Sequence, residues 1–258
     1  SFAMSLRSFK QYIELLQLSG LSYLVTDFNK INIKVEKNKA EIDDDNYELS
    51  DHIVCSPNTD IITDEKFDEL GLYKLKDKIQ DCQKCGLAKS RLKLVYGEGP
   101  QTAKIMIISE GPGAEENITG RPFVGEAGKL LTKMLAAINL QRSEVYIANI
   151  VKCRPPKNRT PQQNEIDACM PYLQQQIRII QPQVILLLGK TAIISMLKNT
   201  HPIDTVRDAQ PFIYQNIPVW VTYHPAALLR DKSLKRKAWA DLQKFRDFLI
   251  EKGIKEAL

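Results

Sequence analysis

The sequence predicts a doubly wound α/β domain, a three-layer α/β/α arrangement around a central four-stranded parallel sheet, and three observations predict it. Four short runs rich in β-branched and apolar residues, 104–109, 145–151, 183–188 and 217–223, read as strands buried on both faces. Between and after them, apolar spacing of helical period marks helices over 126–139, 161–180, 190–198 and 234–252. Strands that alternate with helices form a parallel sheet covered on both sides. The second helix carries its own start signal: Thr160, Pro161 and Gln163 occupy the N-cap, first and third positions of a capping box.

Length and composition fit one full core with a smaller appendage: 258 residues, 43% hydrophobic and 26% charged. The most apolar run, 184–188, is far too short to span a bilayer, and the amino terminus lacks the basic start, apolar run and cleavage site of a signal peptide. A cytoplasmic protein without a membrane partner is expected. Charge is uneven along the chain. Residues 1–70 hold seven Lys/Arg and fourteen Asp/Glu, a net of −7, which against the whole-chain +5 leaves +12 on residues 71–258. A basic domain suits a polyanion. Residues 1–70 read as an extension without visible chemistry, an amphipathic helix at 6–18 followed by an acidic linker at 41–51, and the domain boundary is expected near Leu70-Gly71.

In open parallel sheets ligands bind beyond the carboxyl ends of the strands. Polar residues gather there: Ser109-Glu110-Gly111, Asn149, Gly189-Lys190 and Tyr223-His224-Pro225. One site assembled from four strand ends is expected. Two nucleotide motifs are excluded. Gly111-Pro112-Gly113 lacks the third glycine of a dinucleotide fingerprint, and Gly189-Lys190-Thr191 lacks the first glycine of a P-loop, with Val184 in its place. The stretch 109–131, SEGPGAEENITGRPFVGEAGKLL, holds five of the twelve glycines together with Phe123, a large ring on a loop suited to close backbone approach.

Cys82 and Cys85 form a close pair ahead of the sheet, and Cys153 and Cys169 flank the second helix start. Four such cysteines suggest a metal site, either zinc or an iron–sulfur cluster, against the alternative of unrelated buried thiols. Cys55 is left over. His224, Leu228, Leu229 and Arg230, followed by Lys232, Lys235, Arg236 and Lys237, read either as a helix start with an apolar face or as a loop that touches nucleic acid. In the second case leucine is an apolar wedge and the cations meet phosphates.

Together, the loop 109–131, the segment ANIVKCRPPKNRTP at 148–161, the four cysteines and YHPAALLR at 223–230 closely resemble the family 4 uracil-DNA glycosylases, a bacterial and archaeal type with an iron–sulfur cluster. The resemblance covers roughly residues 72–251. It implies a monomeric DNA repair enzyme that flips uracil out of double- or single-stranded DNA and hydrolyses its N-glycosidic bond. It implies a structural [4Fe–4S] cluster on Cys82, Cys85, Cys153 and Cys169.

By the same resemblance, Phe123 stacks on uracil, backbone amides around Gly111 crowd the flat base, and Asn149 reads its edge. His224 donates to uracil O2 as charge develops, Glu110 positions or activates water, and Glu116 lies against C5, where thymine carries a methyl group. Ser109 and Asn117 depart from the family pattern, which has glycine and aspartate there. The segment 153–158 has no histidine that could trap the sugar, so ordinary turnover is expected. Two other classes compete: a non-catalytic nucleic-acid-binding module that keeps the metal site, and a hydrolase of small nucleosides.

Overall fold

A computed structural model describes residues 71–256. The predicted helix at 6–18, the acidic linker at 41–51 and Cys55 lie outside the described residues. The strands are β1 (Ile105–Ser109), β2 (Val145–Asn149), β3 (Val184–Leu188), β4 (Phe212–Tyr214) and β5 (Ile217–Thr222), in sheet order β2-β1-β3-β5-β4. Every residue of β1, β2 and β3 is buried, as a sheet covered on both faces demands. The four predicted strands run parallel. The fifth, β4, extends the sheet antiparallel to β5 through a two-residue turn at Gln215-Asn216, both left-handed with φ of 47° and 66°.

Eight α-helices complete the described residues: α1 (Gly71–Ile79), α2 (Ala114–Thr119), α3 (Glu126–Ala136), α4 (Gln163–Ile180), α5 (Lys190–Leu197), α6 (Ile203–Asp208), α7 (Pro225–Arg230) and α8 (Lys235–Glu251). Alternation along the strands divides the core in two. Met106, Ile108, Tyr146, Ile185 and Leu187 meet α1, α4 and α5 through residues such as Ile79, Leu173 and Ile193. Ile105, Ile107, Val145, Leu186 and Leu188 meet α3 and α8 through Leu131, Leu135, Leu242 and Phe245. No helix of the described residues is long and apolar enough to cross a membrane.

Two expectations are corrected. Helix α4 starts two residues later than the proposed capping box, because Glu165, not Gln163, makes the box: its carboxylate accepts the Gln162 N–H at 2.7 Å and pairs with both terminal nitrogens of Arg159 at 2.8 and 2.7 Å. A carboxylate at this position also suits the positive end of the helix dipole. The second correction concerns the leucine pair. Residues 225–230 form a helix, and its phase turns Leu228 into the α3/α8 core at 2% exposure, while Leu229 stays 43% exposed. Leu228 cannot serve as a DNA wedge; only Leu229 keeps that possibility.

The two leucines therefore separate by stability. Leu228→Ala should cost about 2–5 kcal/mol, the range for truncating a buried leucine, and Leu229→Ala no more than about 0.5 kcal/mol. Urea denaturation of the two variants checks this; equal losses would contradict the helix phase.

Candidate active site

The carboxyl ends of β1, β2, β3 and β5 surround one cavity of about 800 Å³. Glu110, Gly111, Glu116, Phe123, Asn149, His224 and Arg230 all line it, so the site residues expected from the sequence converge, with the leucine pair left out. Lys190 and Thr191, at the start of α5, complete the β3 side.

Phe123 owes its position to three restraints. Its backbone is left-handed, with φ of 51°, a costly conformation for an aromatic residue. Gly128 permits the turn, since a Cβ there would overlap the Phe123 carbonyl. Arg142 donates to that carbonyl at 2.8 Å and also to the Pro122 carbonyl. The carboxylate of Glu116 gathers the Val124, Gly125 and Gly113 N–H groups at 2.8, 3.0 and 3.1 Å, tying the two limbs of the glycine-rich loop together. Glu116 thus braces the loop as well as lining the cavity.

At the end of β1, Glu110 accepts a hydrogen bond from the Thr191 hydroxyl. Beside it Gly111 passes close under Val151, whose Cγ2 would lie 2.8 Å from a Cβ at that position. Asn149 is buried, and its Oδ1 has no hydrogen-bond partner among the described residues. A buried acceptor without a partner costs about 1–3 kcal/mol, which a ligand donor would recover. Of the two departures, Asn117 accepts the Leu92 N–H at 3.0 Å, while Ser109 is buried and its hydroxyl has no partner among the described residues.

His224 caps α7: its Nδ1 accepts the Ala226 N–H at 3.0 Å. A ring nitrogen that accepts carries no proton, so the neutral imidazole holds its hydrogen on Nε2. Burial lowers the His224 pKa to about 4, assisted by the nearby Arg230 cation and opposed by Glu116. The ring also stacks on Phe123, with centroids 5.6 Å apart. An uncharged histidine with one remaining donor therefore stands beside the aromatic wall.

Behind His224 lies a network without a local sequence signal. Arg207 makes two bonds to Asp241, at 2.5 and 2.7 Å, and Asp241 also accepts from Thr222 at 2.7 Å. Asp204 accepts from Tyr223 at 2.5 Å and from Lys237 at 2.8 Å. Thr222 and Tyr223 immediately precede His224, so the network fixes the chain that carries the ring.

Cys82, Cys85, Cys153 and Cys169 line one small pocket on the α1/α4 side of the sheet, together with Lys152 and Tyr172. Polar groups face their sulfurs: Arg91 Nη1 donates to Cys153 Sγ at 3.4 Å, the Lys152 N–H to Cys169 Sγ at 3.3 Å, and the Tyr172 hydroxyl touches Cys82 Sγ at 3.4 Å. Burial pushes Cys153 up, and Cys169 up to about 11, against the opposing pull of these donors.

Comparison with known proteins points to one family. The family model described as the uracil DNA glycosylase superfamily matches residues 96–243. The chain is 42% identical to the type-4 uracil-DNA glycosylase of Pyrobaculum aerophilum over 183 residues, 68% of this chain and 93% of that protein. It is 44% identical to the type-4 enzyme of Sulfurisphaera tokodaii, covering 69% and 85% of the two chains, and 40% identical to that of Thermotoga maritima, covering 69% and 95%.

The state of His224 is measurable. The unfolded chain takes up a proton near pH 6.5 and the folded imidazole only near pH 4, so its contribution to stability is whole above about pH 6.5 and is lost as pH falls towards about 4. In an NMR titration of the folded protein its ring resonances should stay fixed down to about pH 5. A midpoint near 6.5 would mean a solvated, differently held ring.

Proposed function

The chain belongs to the uracil DNA glycosylase superfamily, in its type-4 branch, and on that premise we propose how its own residues remove uracil from DNA. The observation that carries the reading is a pairing within one cavity. Asn149 Oδ1, a buried amide oxygen without a partner among the described residues, lines the same cavity as a neutral imidazole that retains its Nε2–H.

A flipped uracil enters the cavity with one face against Phe123. Asn149 accepts the uracil N3–H at Oδ1 and donates its amide hydrogen to O4; cytosine presents the opposite pattern and leaves both groups of Asn149 mismatched. The C1′–N1 bond then breaks with its electron pair leaving on uracil N1, and the sugar gains cationic character. His224 donates through Nε2–H to uracil O2, whose negative charge grows as the bond lengthens, so the contact strengthens in the transition state. A water held by Glu110 adds to C1′ and gives up a proton to the Glu110 carboxylate, leaving an abasic sugar and the uracil anion, which takes a proton from solvent as it is released. Thr191 fixes the Glu110 carboxylate for this task. Glu116 keeps the loop folded over the base and stands near C5. Arg230 at the cavity edge meets a phosphate, and exposed Leu229 fills the gap left in the base stack.

The four cysteines suit a [4Fe–4S] cluster with a structural role. Among the described residues no group of three metal-binding side chains is arranged around a single ion. The four sulfurs share one pocket, with Arg91, Lys84 and Lys152 beside it to balance a net negative group. A cytoplasmic location accords with such ligands, since thiols stay reduced there.

Incubation with uracil-containing DNA, followed by cleavage of abasic sites, tests the reading against a non-catalytic module. Asn149→Asp removes the donor to O4 and places a charge beside the base, and should lower single-turnover excision on the order of 100-fold or more. A near-normal rate would mean the base edge is read elsewhere. The purified protein should contain iron, and Cys82→Ala or Cys169→Ala should lose it together with solubility. Zinc without iron on metal analysis would reject the cluster.

A further inference from the structure

Lys152 is 1% exposed, and no carboxylate is bonded to it among the described residues. A buried ammonium is costly unless hydrogen bonds hold it. Lys152 Nζ donates to the main-chain carbonyl of Asn149 at 2.9 Å and to Gln176 Oε1 at 2.5 Å. Gln176, itself fully buried, is anchored in turn by donating to the Tyr96 carbonyl at 2.9 Å and the Tyr146 hydroxyl at 3.1 Å. The main chain of Lys152 is fixed too, by its N–H to Cys169 Sγ.

These contacts bear on a difficulty at Asn149. An amide can discriminate uracil from cytosine only if its oxygen and nitrogen keep their places. Yet Oδ1 has no partner among the described residues to hold it. The backbone from which the side chain leaves the strand is held on its β1 side by the Ile150 N–H to the Ser109 carbonyl at 2.8 Å, and Lys152 adds the side-chain bond to the Asn149 carbonyl itself. A methionine would fill the same volume at less cost, but it could make neither of these bonds.

We propose that Lys152 is a positioning residue for uracil selection: by clamping the Asn149 carbonyl to Gln176 it fixes the direction of the Asn149 amide. The proposal rests on the reading of Asn149 given above. It assigns Lys152 no contact with DNA and no part in bond cleavage.

Lys152→Met tests it in the full-length protein, with single-turnover excision and with binding to a duplex carrying uncleavable 2′-fluoro-2′-deoxyuridine. Excision of uracil should fall about tenfold or more, as for a displaced contact group. Affinity for the analogue should fall with it, while affinity for an abasic duplex, which has no base to read, should stay at the wild-type value. Added to Asn149→Ala, the substitution should cost nothing further in rate, because the group it positions is gone. A role in stability alone would instead lower the melting temperature, leave the preference for the uracil analogue over the abasic duplex intact, and multiply with Asn149→Ala; that result overturns the proposal. Gln176→Met, which removes the other end of the clamp, serves if Lys152→Met does not fold, and should shift the same preference in the same direction. Normal excision by Asn149→Ala would show that the reading of Asn149 fails. A slow Asn149→Ala beside a normal Lys152→Met would show that only the clamp fails.

Discussion

Gly128 is the position on which the base pocket depends. Phe123 reaches the cavity from a left-handed backbone, and its carbonyl occupies the space a side chain at residue 128 would fill. Such a backbone costs of order 1–3 kcal/mol and persists only where its surroundings over-determine it. Here they do: Arg142 holds the carbonyls of Pro122 and Phe123 from one side, and Glu116 holds the next two N–H groups from the other. The resulting ring position braces His224 by stacking, and α7, which His224 caps, packs Leu228 back into the core. Loop, histidine and core are therefore mutually dependent.

The hydrophobic core alone would not give the site its accuracy. Apolar contacts are non-directional, so a sheet packed by leucine and isoleucine can slide slightly at little cost. Directional bonds appear where the chain turns from scaffold to chemistry. Asp241, paired with Arg207, fixes Thr222, and Asp204 fixes Tyr223, on the two residues before His224. Glu110 is fixed by Thr191 from the neighbouring strand end. Buried ion pairs of this kind add little net stability, but they hold directions, which is what a transition state stabilised by hydrogen bonds requires.

What could be read from the chain and what could not follows from the range of each signal. Strand runs, the helix read over 161–180, the ring on the glycine-rich loop and the polar residues at strand ends are local patterns of periodicity and spacing. The short edge strand β4 was hidden because Gln215-Asn216 lacks the Asn-Gly signature of a tight hairpin. Leu228 and Leu229 look alike in a run of apolar residues, and only the phase of a six-residue helix tells the buried one from the exposed one. The contacts Lys152 to Gln176, Arg207 to Asp241 and Glu110 to Thr191 span 24, 34 and 81 residues, so no local window contains them. Their members are ordinary polar residues whose burial only the fold decides.

The same distinction bears on why a metal site would stand beside a reaction it does not catalyse. Asn149, Lys152 and Cys153 lie within five residues, where the chain leaves β2 and crosses from the base cavity to the cysteine pocket. That crossing segment needs a firm hold at both ends. Protonated thiols would hold it poorly, since S–H is a weak donor and sulfur a weak acceptor. Burial nevertheless favours the protonated form at Cys153 and Cys169, while Arg91 and the Lys152 N–H point at their sulfurs as if at negative charge. On the proposed reading, iron held by these four residues would resolve the conflict, because it would displace the protons and make four thiolates stable in a dry pocket. A cluster there would serve the proposed chemistry by fixing the far end of the segment that carries Asn149.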